Sequence, residues 1–254
     1  MTEWIYGRQV VRMALAAGAR RRALRLAATA SAARALRPGL PPDLACDVVD
    51  GDALEALTGS REHQGVALEV PAYPYADPHE VLGGALVVVL DEVSDPHNLG
   101  AVARSALAAG CTGLIVPRHR AAHVTPAAVK ASAGTLEHLR VAQVANVARL
   151  LQDAKRAGFW VYGAASEGAA DYTGLDLRGR VVLVFGAEGR GLRPLVARAC
   201  DVLAAIPMRR PVESLNVSVA AALFLFEAVR QRDVEGGDDV RRSDDDEAGF
   251  RRPS

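Results

Sequence analysis

The chain has 254 residues, half of them hydrophobic, with 30 Lys+Arg balancing 30 Asp+Glu. That length holds one large domain, or a small one beside a medium one, and a net charge of zero gives no overall argument for a nucleic-acid partner. No apolar run approaches the roughly 20 residues that span a bilayer, and the N-terminus lacks the basic, apolar and small-residue succession of a secretory signal, so a cytoplasmic protein without a membrane partner is expected.

Residues 7–17 have helical spacing, with Val10, Val11 and Leu15 on one side. Residues 23–29 read as a strand, and residues 47–49 and 65–70 as two more, with a short helix over 52–57 between them. These elements predict a small α/β unit over residues 1–72. Before Pro41 it carries Arg8, Arg12, Arg20, Arg21, Arg22, Arg25, Arg34 and Arg37 against Glu3 alone. Such a front is what phosphate contact requires, although a solvated helix face would look the same. Pro71, Pro74 and Pro78 then interrupt the pattern and predict a linker over 73–84, because proline removes a donor and disfavours helix before it.

From residue 85 the pattern is strongly α/β. Residues 85–90 form a fully apolar run, as a buried parallel strand should. A helix is expected over 99–109 and a strand over 113–116, and Pro126 opens another helical stretch. Asn146 suits the N-cap of a helix ending near Ala157, where Gly158 stops it. Strands follow at 159–163, 181–185 and 203–206. Residues 217–230 form a helix that is apolar nearly all round, which implies burial on most sides, against its own sheet and a second subunit. The segment 85–232 is thus one parallel-sheet domain. Residues 233–254 are acidic and poor in large apolar side chains, the composition of a disordered tail.

Cys46, Cys111 and Cys200 are far apart, and the histidines do not cluster at metal-ligand spacing. Buried free thiols and no metal site are expected. Three other segments stand at the carboxyl ends of predicted strands, where open α/β sheets bind ligands. The first runs from Asp91 through Asp95-Pro96-His97-Asn98-Leu99-Gly100 to Arg104. Asn98 suits a helix N-cap, and Leu99, Val102, Ala103, Ala106 and Leu107 form the buried stripe. Arg104 lies off that stripe beside Gly100, Ala101 and Ala108. It is either a surface arginine or one with room for a ribose-phosphate or another subunit. The second, Phe185-Gly186-Ala187-Glu188-Gly189-Arg190-Gly191, is not a Rossmann fingerprint, and no Gly-Lys-Ser/Thr of a Walker motif occurs. Its glycines let backbone amides approach a ligand. The third joins Ile206-Pro207-Met208 to Ser214-Leu215-Asn216-Val217-Ser218. Its polar residues suit helix capping, and no Gly-x-Ser-x-Gly elbow accompanies the serines.

Asp95-Pro96-x-Asn98-x-Gly100 with Arg104, Phe185-Gly186-x-Glu188-x-x-Gly191, and Ile206-Pro207-Met208 through Ser214-Leu215-Asn216-Val217-Ser218 resemble, in order and separation, the three motifs of the SpoU/TrmH family of RNA 2′-O-ribose methyltransferases. The likeness spans residues 85–232. Ile5-Tyr6-Gly7 and His63-Gln64-Gly65 extend it to the small substrate-binding domain of ribosomal RNA members. The resemblance implies a SPOUT fold: a parallel sheet whose C-terminal segment threads a trefoil knot, which periodicity would never predict. It implies homodimers that bind S-adenosylmethionine, with Gly186, Gly189, Ile206, Met208, Ser214 and Leu215 around the methyl donor. Asn98, Arg104, Glu188 and Asn216 match the family's functional polar positions. A guanidinium stays protonated, so Arg104 is expected to clamp the neighbouring phosphate and stabilise alkoxide charge rather than act as a base. The stretch Arg209-Arg210-Pro211-Val212-Glu213 departs from the glycine-containing stretch of many relatives and puts the loop's shape in question. Large-subunit ribosomal RNA is the expected substrate. The alternatives are transfer RNA, a non-catalytic RNA-binding module on the same fold, and a nucleotide-dependent oxidoreductase.

Overall fold

In a computed structural model of the chain, residues 2–18, 23–167, 170–209 and 214–235 are described. Four strands form the first sheet: β1 (Thr2–Tyr6), β2 (Arg25–Ala28), β3 (Ala45–Val48) and β4 (Val66–Pro71), in the order β1-β4-β2-β3. β4 runs antiparallel to both neighbours, and β2 and β3 are parallel. Three helices accompany them. α1 (Arg8–Ala16) buries Val10, Val11 and Ala14. α2 (Ala30–Leu36) is capped by the Thr29 hydroxyl, and α3 (Gly51–Thr58) by the Asp50 carboxylate. Both caps accept from a backbone N–H that the first helical turn leaves unpaired. β1 and α2 were not legible beforehand. β1 buries only Ile5 and Tyr6, and α2 is so rich in alanine that it shows no periodic contrast.

The proline-rich stretch is strapped down rather than loose. The Tyr73 hydroxyl donates to the carbonyls of Leu136 and Leu139, at 3.2 and 2.5 Å. The Tyr75 hydroxyl accepts from the Val124 N–H at 3.0 Å. A single turn, α4 (Pro78–Val81), follows, capped by Asp77.

The second sheet has seven strands: β5 (Leu86–Asp91), β6 (Gly113–Pro117), β7 (Arg140–Val144), β8 (Trp160–Ala164), β9 (Ala170–Asp171), β10 (Val181–Gly186) and β11 (Val202–Ala205). Their order is β7-β6-β5-β10-β8-β11-β9 and every pairing is parallel. Helices cover both faces, which explains the unbroken apolar runs. Leu86, Val88 and Leu90 face one layer, with α5 (Pro96–Ala108), α6 (Pro126–Ala131) and α9 (Val217–Glu235). Val87 and Val89 face the other, with α7 (Val147–Arg156) and α8 (Pro194–Ala199). The first layer's core is continuous with that of the four-stranded sheet. At that junction Lys130 Nζ donates to the Glu62 carbonyl at 3.0 Å and lies 5.7 Å from the Tyr6 ring centre. Burial there pulls the Lys130 ammonium below its usual pKa.

Several expectations need correction. Asp95, not Asn98, caps α5, accepting from the His97 N–H at 2.8 Å with Pro96 in the first turn. An acidic cap ahead of Pro is the stronger start signal, and it frees the Asn98 side chain. Cys46 is exposed on the edge strand β3, although Cys111 and Cys200 lie inward, where burial pushes both thiols up to about 12. α9 continues to Glu235, past the point where the tail was expected to begin. Its last turns are held because Gln231 Oε1 accepts from the Leu177 N–H and Arg232 Nε donates to the Leu177 carbonyl. The remaining tail, Arg20 to Arg22 and Arg210 to Glu213 lie outside the described residues. α9 is also less covered than its composition suggested, since Val219, Leu223 and Phe226 remain exposed in the single chain. No helix among the described residues is long and apolar enough to cross a membrane.

Candidate active site

The carboxyl ends of β5 and β10 lie side by side, with Gly186 paired to Asp91. The polar residues singled out from the sequence converge beside them. Asn98, in the first turn of α5, donates from Nδ2 to Glu188 Oε1 at 3.1 Å. Asn216 Nδ2 donates to the same oxygen at 2.6 Å and to Asn98 Oδ1 at 2.9 Å. The Val217 N–H points at Glu188 Oε1 from 3.4 Å, so the carboxylate also sits on the N-terminus of α9, where the helix dipole favours a negative charge. Asn216 caps α9, with Oδ1 accepting from the Ser218 N–H and hydroxyl at 2.9 and 2.5 Å. Capping and site-building are therefore the same contact. These residues are separated by 90 and 28 positions in sequence, and only the fold joins them.

Beside this cluster opens a cleft of about 720 Å3. Gly186, Gly189, Ile206, Met208, Ser214 and Leu215 all line it, and so does Glu188. Three glycines, Gly186, Gly189 and Gly191, stand in its wall after β10, between Ala187, Glu188 and Arg190. A Cβ on Gly186 would stand 2.1 Å from the Gly191 carbonyl carbon, so the loop doubles back over this residue and only glycine fits. Gly191 has φ of 66° and closes the loop by donating to the Ala187 carbonyl at 2.8 Å. The far side is apolar, with Phe185 and Phe224 meeting edge to face at 5.6 Å between centroids. A volume of this size, a glycine-rich loop on one side, an apolar wall, and both acidic (Glu167, Glu188) and basic (Arg190, Arg209) side chains at its lining suit a nucleoside-like ligand that carries charges of both signs. Among the described residues no cluster of His, Cys, Asp and Glu is placed to hold a metal.

Arg104 does not line the cleft. It is exposed on α5, off the buried stripe, and no partner among the described residues holds it. Its helical neighbours Ala101 and Ser105 border a second, apolar groove with Tyr172, Val219, Leu223 and Phe226. The residues that sequence reasoning missed are Asp91 and Arg193. Asp91 is fully buried, and its carboxylate accepts from the Arg193 backbone N–H at 2.9 Å, from Nε at 2.8 Å and from Nη2 at 2.6 Å. Those hydrogen bonds hold the Arg193 guanidinium above its usual pKa. The one signal in the sequence was an acidic residue ending an otherwise apolar strand, since a buried charge needs a partner.

Comparison with known proteins agrees with this geometry. Residues 85–226 match the SpoU rRNA Methylase family, and residues 4–76 match the RNA 2'-O ribose methyltransferase substrate binding family. The 23S rRNA (guanosine-2'-O-)-methyltransferase RlmB of Xanthomonas campestris pv. campestris is 47% identical over 191 residues, 72% of this chain and 77% of the relative. The crystal structure of the SpoU methyltransferase AviRb from Streptomyces viridochromogenes, in complex with the cofactor AdoMet, superposes with a TM-score of 0.77 at 29% identity. That match covers 90% of this chain and 89% of AviRb. The TrmH/SpoU tRNA modifying enzyme of A. aeolicus matches with a TM-score of 0.56 at 30% identity, over 63% of this chain and 82% of the smaller protein.

Proposed function

This chain belongs to the SpoU rRNA methylase family, and on that premise we propose that it transfers a methyl group from S-adenosylmethionine to a ribose 2′-hydroxyl of large-subunit ribosomal RNA. The observation that carries this reading is the meeting of Asn98, Glu188 and Asn216 at the edge of a glycine-walled cleft. The name of the Xanthomonas relative favours a guanosine in 23S RNA. A bacterial ribosomal RNA modifier works where that RNA is made, so the cytoplasm is the compartment that this reading favours.

S-adenosylmethionine supplies a methyl group on a sulfonium cation and leaves as a neutral thioether. In this reading Gly186, Gly189, Ile206, Met208, Ser214 and Leu215 hold the donor, mainly through backbone groups and apolar contact. Glu188, fixed by Asn98 and Asn216, keeps negative charge beside the cation. Arg104 grips the phosphate next to the target ribose and stabilises charge developing on the 2′-oxygen, while that phosphate accepts the hydroxyl proton. A guanidinium that stays protonated serves as clamp better than as base.

Residues 1–72 serve as the RNA-binding unit, 73–84 as its strap and 85–232 as the methyltransferase domain. The trefoil knot belongs to the same proposal, supported by β10 returning between β5 and β8 before β11 passes beyond β8. So does a homodimer. The groove between α5 and α9 exposes Val219, Leu223 and Phe226, and a second copy of the same face would cover them and bring Arg104 to the interface. Transfer RNA is the weaker substrate reading, because the tRNA-modifying relative matches 63% of this chain at 30% identity, whereas the 23S rRNA relative is 47% identical over 72% of it. Calorimetric titration with S-adenosylmethionine, and separately with NAD, tests the reading. Binding of the first alone is expected, and binding of NAD alone would overturn it.

A further inference from the structure

The loop after β10 is closed at its base by one carboxylate. Gly186 lies beside Asp91 across the sheet, and the chain comes back to Asp91 seven residues later, at Arg193. Between these points the loop carries Glu188, turns on Gly189 and Gly191, and forms one wall of the cleft. Asp91 is 0% exposed, yet all three of its contacts go to a single residue, Arg193. The neighbouring Glu92 holds a left-handed backbone, φ 59°, uncommon for a non-glycine residue. That conformation brings its Oε1 to 3.4 Å from Arg193 Nη1 and 3.8 Å from Arg120 Nη1. Local strain of this kind persists only where the surroundings fix it.

We infer that Asp91 and Arg193 are positioning residues: a charge-assisted clamp that sets the glycine loop, and through it Glu188 and the cleft wall. The inference deepens the proposed function and rests on that reading where the cofactor is concerned. Neither residue lines the cleft, so the pair acts through the loop. A generic buried ion pair predicts something different. Replacing such a pair by neutral residues of similar size commonly costs little stability. Here the neutral pair would leave the fold intact and the loop unset, because closure depends on the guanidinium reaching Asp91 and Glu92 at the end of β5 at once.

The test compares the full-length protein with Arg193→Met, Arg193→Lys and the double variant Asp91→Asn/Arg193→Met. The readouts are amide hydrogen exchange without ligand, thermal unfolding, and calorimetric binding of S-adenosylmethionine. Arg193→Met strands a buried carboxylate and should unfold earliest. The double variant should regain most of the unfolding temperature but exchange the 187–192 amides faster than wild type. Its dissociation constant should stay raised about tenfold or more, the loss of a charge-assisted hydrogen-bond set, with Arg193→Lys in between. If the double variant matches wild type in loop exchange and affinity, the clamp is refuted. The same holds if its affinity falls only in step with global unfolding. If wild type itself fails to bind S-adenosylmethionine, the cofactor assignment falls, and the loop exchange of the unliganded variants still decides the clamp.

Discussion

Arg104 and Asn98 show what helical spacing reveals about single residues and what it hides. The buried stripe of α5 leaves Arg104 exposed, and the i±3 and i±4 rule places it there from sequence alone. Because it stands outside the cleft, Arg104→Ala should lower methyl transfer by roughly two orders of magnitude or more, as loss of a charge-stabilising donor does. Binding of S-adenosylmethionine should barely change. Transfer of labelled methyl groups and calorimetry read the two effects separately, and near-normal turnover would remove Arg104 from the mechanism. Asn98 was harder to read. Its residue type suits a cap, but Asp95 takes that role, and its true partners, Glu188 and Asn216, come from loops that only the sheet order brings near. Asp91 was invisible for the same reason, as its partner Arg193 follows it by 102 positions.

The long elements were legible because burial on two faces writes itself into composition. β5 and β10 appear as unbroken apolar runs and α7 as a sharp stripe behind its Asn146 cap. β7 and α8 were not, being short and carrying Arg140 and Gln143, or Arg198, among few apolar positions. Packing between elements was partly written in glycine. A Cβ on Gly100 would lie 2.6 Å from both the Ala128 carbonyl oxygen and the Ala131 Cβ, and 2.7 Å from the Ser132 nitrogen. Two of those neighbours are backbone and cannot rotate away, so α5 approaches α6 as closely as it does only without a side chain there. Gly100→Ala should destabilise the protein by about 1–3 kcal/mol, the usual cost of overpacking, seen as a lower thermal midpoint. An unchanged midpoint would mean that α5 and α6 pack more loosely than described. Because α5 carries Asn98, the same substitution should also weaken cofactor binding.

At the scale of the whole molecule the two units, their strap and the apolar α5–α9 face make one account. Composition announced an apolar final helix, and the structure locates its uncovered side at Val219, Leu223 and Phe226. The chain is therefore expected to be a dimer by light scattering at micromolar concentration, and Phe226→Glu to shift it toward monomer. A monomeric wild type would contradict this. In the proposed reading the front unit supplies the grip on RNA. Arg8 and Arg25 are partly engaged, with Gln64 and with Asp47 and Glu69, whereas Arg12, Arg34 and Arg37 are exposed. Neutralising Arg34 and Arg37 should weaken RNA binding and reduce the slope of its salt dependence by roughly one for each phosphate that is no longer neutralised. Mapping the methylated products identifies the substrate. Purified protein is given S-adenosylmethionine with labelled methyl groups and, at matched salt, fragments of 23S RNA or transfer RNA transcripts, and the products are mapped by mass spectrometry. A single ribose 2′-O-methyl mark on a 23S fragment is predicted, absent with Arg104→Ala. Efficient marking of transfer RNA with none on ribosomal fragments would contradict the account and leave the front unit without a role.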